Sequence, residues 1–189
     1  MLRRILPLSV FARYERWWER RHGLIHYAPG SLLRLEIRTH RGRPVVVGDG
    51  TVVRPGDPIG EIHIDNMVVA DYHRQTSDPR RLGLLFGRGM AEALRLLASY
   101  LKANPDRRIV AVHAVSLYWE GSERLGFEIR PIRSWWARWA ANAWLKFLLW
   151  YYHPEGVRRS RGRERLREPR EAWMSFQRLM ERHGSDGAQ

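Results

Sequence analysis

The stretch LGLLFGRGMAEALRLLASYLKANPDRRIVAVHAVSLY, residues 82–118, decides the fold class. Leu82, Leu85, Phe86, Gly89, Ala93, Leu96, Leu97 and Tyr100 form one apolar stripe, which predicts an amphipathic helix over 82–101. Ser77 or Asp78 with Pro79 supplies its start, and Asn104-Pro105 closes it. Ile109–Tyr118 is then nearly all apolar and β-rich, the pattern of a central strand buried on both faces. A long helix followed by a buried strand calls for a helix layer on a sheet.

Working outward, Leu33, Leu35 and Ile37 alternate with Arg34, Glu36 and Arg38, a half-buried strand. Arg41-Gly42-Arg43-Pro44 turns the chain into Val45–Val47, and Gly48-Asp49-Gly50 turns it again into Thr51–Val53, a hairpin. Pro55-Gly56-Asp57-Pro58 leads into a strand over Ile59–Asp65, with Ile62 and Ile64 toward the core and Glu61, His63 and Asp65 on the opposite face. Residues 8–22 repeat Leu8, Phe11, Tyr14, Trp18 and His22 at helical spacing and stop at Gly23. Ser122–Leu125 forms one helical turn, Gly126–Ile129 a short return strand, and Trp135–Tyr152 a long aromatic helix ended by Pro154 and Gly156. Residues 157–170 read as an Arg/Glu-rich linker, and 171–182 as a short helix carrying Trp173, Phe176, Leu179 and Met180. The fold class expected is α+β or mixed α/β: a small antiparallel or mixed sheet packed against a long helix, with amphipathic N- and C-terminal helices. Residues 1–156 form the single domain and 157–189 the linker and last helix.

The 189 residues carry a net charge of +13. The excess is uneven: residues 57–128 hold 9 basic and 10 acidic side chains, so the cationic surplus lies in the flanks. Lys102 and Lys146 are the two lysines among 33 basic residues. Arginine pairs bidentately with phosphate and stacks on rings, which suits headgroups or nucleic acid, although a GC-rich genome produces the same bias. With no cysteine, disulfide frameworks, thiolate metal sites and thiol catalysis are excluded. Arg3 and Arg4 precede an apolar run broken by Pro7 and ended by Arg13, a poor secretory signal, and no segment reaches the roughly 18–20 apolar residues of a membrane span. A cytoplasmic protein, peripheral on the inner face of the cell membrane, is the expectation.

Three segments carry candidate chemistry. Glu61, His63 and Asp65 stand in a row about 6.5–7 Å apart per step, with Asn66 at the strand end. A histidine between carboxylates can act as general base or ligate a metal, though any solvated strand face yields the same triplet. His113 lies inside the apolar strand, either a satisfied core histidine or a functional one, with Ser116, Glu120 and Arg124 at or beyond the strand end. Ser116 lacks the glycines of a nucleophile elbow, and Gly83, Gly87 and Gly89 do not form a phosphate loop. No cofactor or metal motif appears. Residues 135–152 hold Trp135, Trp136, Trp139, Trp144 and Trp150, with Arg138, Asn142 and Lys146 on one narrow polar face. That composition fits a helix lying in a membrane interface or a core helix of the domain.

The pieces Arg41–Val47, Asp49–Val53, Gly56-Asp57, Ile62-His63-Ile64 with Asn66, the helix 82–101 and Arg124-Leu125-Gly126-Phe127 together resemble the YkoP-like family of Gram-positive and related bacteria, over residues 10–155. Members of that family occur alone or joined to polysaccharide deacetylases, so the resemblance implies work on cell-envelope glycan or glycolipid. It points to His63 and Asn66 as site residues. The deacetylase Asp-His-His metal motif is not visible in this sequence.

The leading expectation is a peripheral membrane accessory protein of envelope glycan or glycolipid metabolism. Its partners are an anionic membrane surface and a lipid-linked or polyanionic sugar, with Trp135, Trp136, Arg138, Trp139, Trp144, Lys146 and Trp150 in contact with the membrane. The alternative is a small transferase or hydrolase with His63, Asp65 and Asn66 catalytic and Glu61, His113 and Arg124 binding substrate. A nucleic-acid binder ranks last, because no RRM, KH, OB or helix-turn-helix pattern is present.

Overall fold

The computed structural model describes residues 13, 17–117, 119–152 and 168–184, without the side chains of 148–152. It is a mixed α+β fold. Strand β1 (Leu33–Thr39) pairs antiparallel with β4 (Pro58–Ile64), and β2 (Val45–Val46) with β3 (Val52–Val53) makes the expected hairpin. Helices α1 (Asn66–Gln75) and α2 (Pro79–Ala103) then carry the chain across to β5 (Ala111–Ser116), which runs parallel to β4. A 3-10 turn over Ser122–Leu125, strand β6 (Glu128–Pro131), helix α3 (Trp135–Tyr152), strand β7 (Arg170–Ser175) and helix α4 (Phe176–His183) complete it. The sheet order is β1-β4-β5-β7-β6, with β5 central as its apolar run predicts.

The two faces of the sheet differ by strict alternation. Leu35, Ile62, Val112, Ala172 and Met174 face α2 and α4 and make the main core with Leu94, Leu97, Leu101 and Leu179. Gly60 lets β1 approach, because a Cβ there would stand 2.9 Å from Leu35 Cδ1. The opposite face carries a row that crosses all five strands in register: Glu36, Glu61, His113, Trp173 and Glu128. The β2–β3 hairpin covers part of this second face, packing Val47 and Val53 on Ile59, Ala111 and Trp173. The N-terminal helix, described at residues 17–22, covers another part, with Trp18 edge-on to His63.

The structure departs from the sequence pattern in three places. The buried stripe of α2 is Met90, Ala93, Leu94, Leu97, Ala98 and Leu101; Leu82, Leu85, Phe86 and Leu96 are only partly covered. Residues 66–75, left without an element, form α1, begun by the Asp65 side chain accepting from the Met67 and Val68 amides. Residues 171–175, read as the start of a helix, are β7, an interior strand between β5 and β6. The segment after 157 therefore supplies a strand and a helix to the main body. Asp78 with Pro79 caps α2 as expected, and α3 spans the residues the aromatic pattern predicts. Leu8, Phe11, Tyr14, Tyr118 and the Arg-rich stretch 157–167, to which the sequence pattern assigns structure, lie outside the described residues.

Candidate functional site

The parallel ladder between β4 and β5 lasts only three pairs, Ile59–Glu61 with Ala111–His113. Beyond it β4 continues with β1 to Ile64, and β5 continues with β7 to Ser116. The sheet thus parts at the C-terminal ends of its two parallel strands, the place where open sheets carry ligand sites. A cleft of about 410 Å³ lies there, walled by Ile62–Ile64 on one side and by residues 114–117 on the other. Asn66, Val69 and His73 of α1, Trp18 and His22 of the N-terminal helix, and Ala141, Trp144 and Leu145 of α3 complete the lining. Much of that surface is apolar. Its charged end is the row Glu36–Glu61 with the groups around it.

Glu36 is 5% exposed, and its carboxylate receives His22 Nδ1 at 3.2 Å and His63 Nε2 at 3.0 Å, with Arg38 Nε at 3.7 Å. Burial would raise its pKa, but the two imidazoles and Arg38 outweigh burial and hold it below the ordinary carboxylate value. An ionised carboxylate only accepts, so Nε2 of His63 carries a proton toward Glu36, and whenever the ring holds a single proton the lone pair lies on Nδ1. Glu61, directly opposite Glu36, accepts from Arg38 Nη1 at 2.9 Å and has His113 Nδ1 at 3.5 Å. Burial again opposes its charge, yet His113, Arg38 and His63 bring its pKa down to about 2. His113 is buried, neither ring nitrogen makes a hydrogen bond among the described residues, and Trp173 packs 4.2 Å from its ring.

Of the residues singled out from sequence, Glu61, His63 and Asn66 meet on the cleft wall. Asp65 is occupied elsewhere: Oδ1 caps α1, and Oδ2 accepts from Arg34 Nε and Nη2 at 3.0 and 2.7 Å. His113 stands behind Glu61 and does not line the cleft. Arg124 is exposed on the 3-10 turn, and its carbonyl accepts from Arg182 Nη1 at 2.8 Å. Sequence reasoning missed Glu36, His22 and Arg38. Alternation had put Glu36 and Arg38 on the polar side of β1, but the pairing Glu36↔Glu61 that brings two carboxylates together is a long-range fact. Among the described residues no His, Asp and Glu group is arranged to hold a metal ion.

Helix α3 presents a second surface. Trp135, Trp136 and Trp139 are 59%, 62% and 64% exposed, Trp135 and Trp136 stack at 3.8 Å, and Arg138 and Lys146 are exposed beside them. Trp144 is 42% exposed while also lining the cleft. The side chain of Trp150 lies outside the described residues. Among those residues no helix is long and apolar enough to cross a membrane.

The chain matches the YkoP domain over residues 4–183 and belongs to that family. The match runs past residue 155 to include β7 and α4. A protein of Bacillus subtilis (strain 168) that bears the name "Uncharacterized protein YkoP" is 26% identical over 110 residues, an alignment covering 58% of this chain and 60% of that protein. The match therefore spans less than two thirds of the relative's length. No solved structure matches the chain.

Proposed function

We propose that this protein is a peripheral membrane accessory protein of cell-envelope glycan or glycolipid metabolism, which binds an amphiphile, an anionic lipid or a lipid-linked sugar, at the cytoplasmic face. The observation that carries this reading is the double use of α3: Trp144, Ala141 and Leu145 wall the cleft, while Trp135, Trp136 and Trp139 on the same helix stand in solvent. Exposed indoles beside Arg138 and Lys146 suit the headgroup boundary of an anionic bilayer. A cleft with an apolar wall and a charged end, opening beside that surface, suits a ligand with a chain and a polar head. Basic flanks add long-range attraction that salt screens, whereas insertion of indoles is insensitive to salt.

Vesicle sedimentation tests it. The protein should pellet with vesicles containing anionic lipid, less so at high salt, and the Trp136→Ser, Trp139→Ser variant should lose most of the remainder while staying folded. A folded wild type that ignores anionic vesicles at low salt contradicts the reading. A second reading, a small transferase or hydrolase, draws on one contact: Glu36 holding Nε2 of His63 and so presenting Nδ1 as a base on the cleft wall. It requires turnover of a ligand found in the cleft, abolished by His63→Gln with binding retained.

A further inference from the structure

The cleft's charged end discriminates between the two ligand chemistries left open above, and the inference rests on the amphiphile reading. Three carboxylates line it, Glu19, Glu36 and Glu61, against two guanidinium groups, Arg34 and Arg38, while Asp65, outside the lining, pairs with Arg34. Each guanidinium is already shared by two carboxylates: Arg34 by Asp65 and Glu19, Arg38 by Glu61 and Glu36. The lining carboxylates thus outnumber the lining guanidinium groups by one, inside a chain of +13. A phosphate brought to this end would meet repulsion and no uncommitted arginine among the described lining residues.

What is left uncommitted accepts hydrogen bonds. Nδ1 of His63 and Oε1 of Glu61 carry no hydrogen bond to a described residue, and both side chains line the cleft. Behind them His113, nine-tenths buried, turns Nδ1 toward Glu61 at 3.5 Å without a hydrogen bond on either ring nitrogen. Buried polar groups are rarely left so, and a ligand group or water that reorganises Glu61 would satisfy it. Hydroxyl groups fit this arrangement, since each can donate to a carboxylate or an imidazole lone pair.

We infer that the cleft takes an uncharged, hydroxyl-rich headgroup, such as the sugar of a glycolipid, through donation of its hydroxyls to Glu61 and to Nδ1 of His63, and that it rejects an anionic phosphate head. The cationic exterior and the acidic cleft then have separate tasks: the first meets the anionic bilayer, the second selects a neutral polyol from it.

The test uses three amphiphiles with one alkyl chain, octyl β-glucoside, octyl phosphate and octanol, each titrated as monomer against the full chain at pH 7. Cleft occupancy is read from the His63 imidazole resonances by NMR, so phosphate bound to the basic exterior does not count. Octyl glucoside should bind at least about tenfold tighter than octyl phosphate and than octanol, and Glu61→Gln should cut that preference by about tenfold. Octyl phosphate binding as tightly as glucoside, or octanol doing so, overturns the inference and leaves the amphiphile reading standing. If none of the three shifts His63, both fall. The wild-type series decides the matter even if the Glu61 variant is poorly folded.

Discussion

Replacing Glu61 by glutamine removes a charge that folding strongly favours. Its pKa falls from 4.5 to about 2 because His113, Arg38 and His63 outweigh the opposing effect of burial. The side chain is 15% exposed, so solvent screens these attractions only weakly. A depressed carboxylate stabilises the fold fully above its unfolded pKa and loses that contribution as pH falls toward the folded value. A shift of this size is worth about 3 kcal/mol at pH 7. Midway through the window, at pH 3, the same relation leaves about 1.4 kcal/mol. Urea denaturation of wild type and Glu61→Gln at pH 7 and pH 3 reads the difference. The variant should lose about 3 kcal/mol at the higher pH and roughly half of that at the lower. Equal losses at both pH values, or none at pH 7, would refute the account of the carboxylate row.

Other substitutions bear on the fold and the membrane face. Leu94→Ala, at a fully buried position on α2, should cost about 2–5 kcal/mol, and the partly covered Leu96→Ala distinctly less; the reverse order in chemical denaturation contradicts the helix phase. Trp173→Ala should cost about 3–5 kcal/mol because its ring is buried between His113 and the hairpin, and a midpoint unchanged from wild type would mean that β7 is not in the sheet. Gly126 has φ +104° and would set a Cβ 2.8 Å from Arg182 Cδ, so Gly126→Ala should lower the thermal midpoint, whereas an unaltered Tm would show that the turn is free to relax. Trp135→Ser should leave the denaturation midpoint within error of wild type, since the indole is mostly in solvent; a large loss would place it in a packed core.

Much of the fold was legible because local pattern and burial agree. The alternation of Leu33–Arg38 and the apolar run after Ile109 are local consequences of one covered face and of a central position. The misread pieces have local causes too. Ser175 ends β7 and caps α4, its hydroxyl accepting from the Arg178 amide at 2.9 Å. Trp173, just before that junction, therefore stands at helical spacing from Phe176 and Met180 although it belongs to a strand. Helix α1 buries no residue fully and shows no strong stripe; the one sign of it was Asp65 in capping position. On α2 the stripe was begun at Leu82, where cover is partial; it caught Ala93 and Leu97 but took Leu96 and Tyr100 in place of Leu94, Ala98 and Leu101.

The site was half legible for a different reason. His63, Glu61 and Asn66 lie within six residues, so one strand and the cap after it bring them together. Glu36, His22 and Arg38 reach them only through the register of β1 on β4 and the docking of the N-terminal helix, and neither follows from a window of sequence. Asp65 fitted the alternation equally well but had two prior obligations, the cap and Arg34, which only the folded chain reveals.

Under the proposed function the indoles of α3 enter a bilayer surface beside the cleft. Fluorescence of the wild type, bound to anionic vesicles whose acyl chains carry bromine, measures it directly. Strong quenching is expected by bromines placed near the headgroup end of the chain, weaker quenching by deeper ones, and loss of most of it in a folded Trp135→Phe, Trp136→Phe, Trp139→Phe variant. Emission from the folded wild type that is the same with brominated and plain anionic vesicles, at low salt, would contradict it.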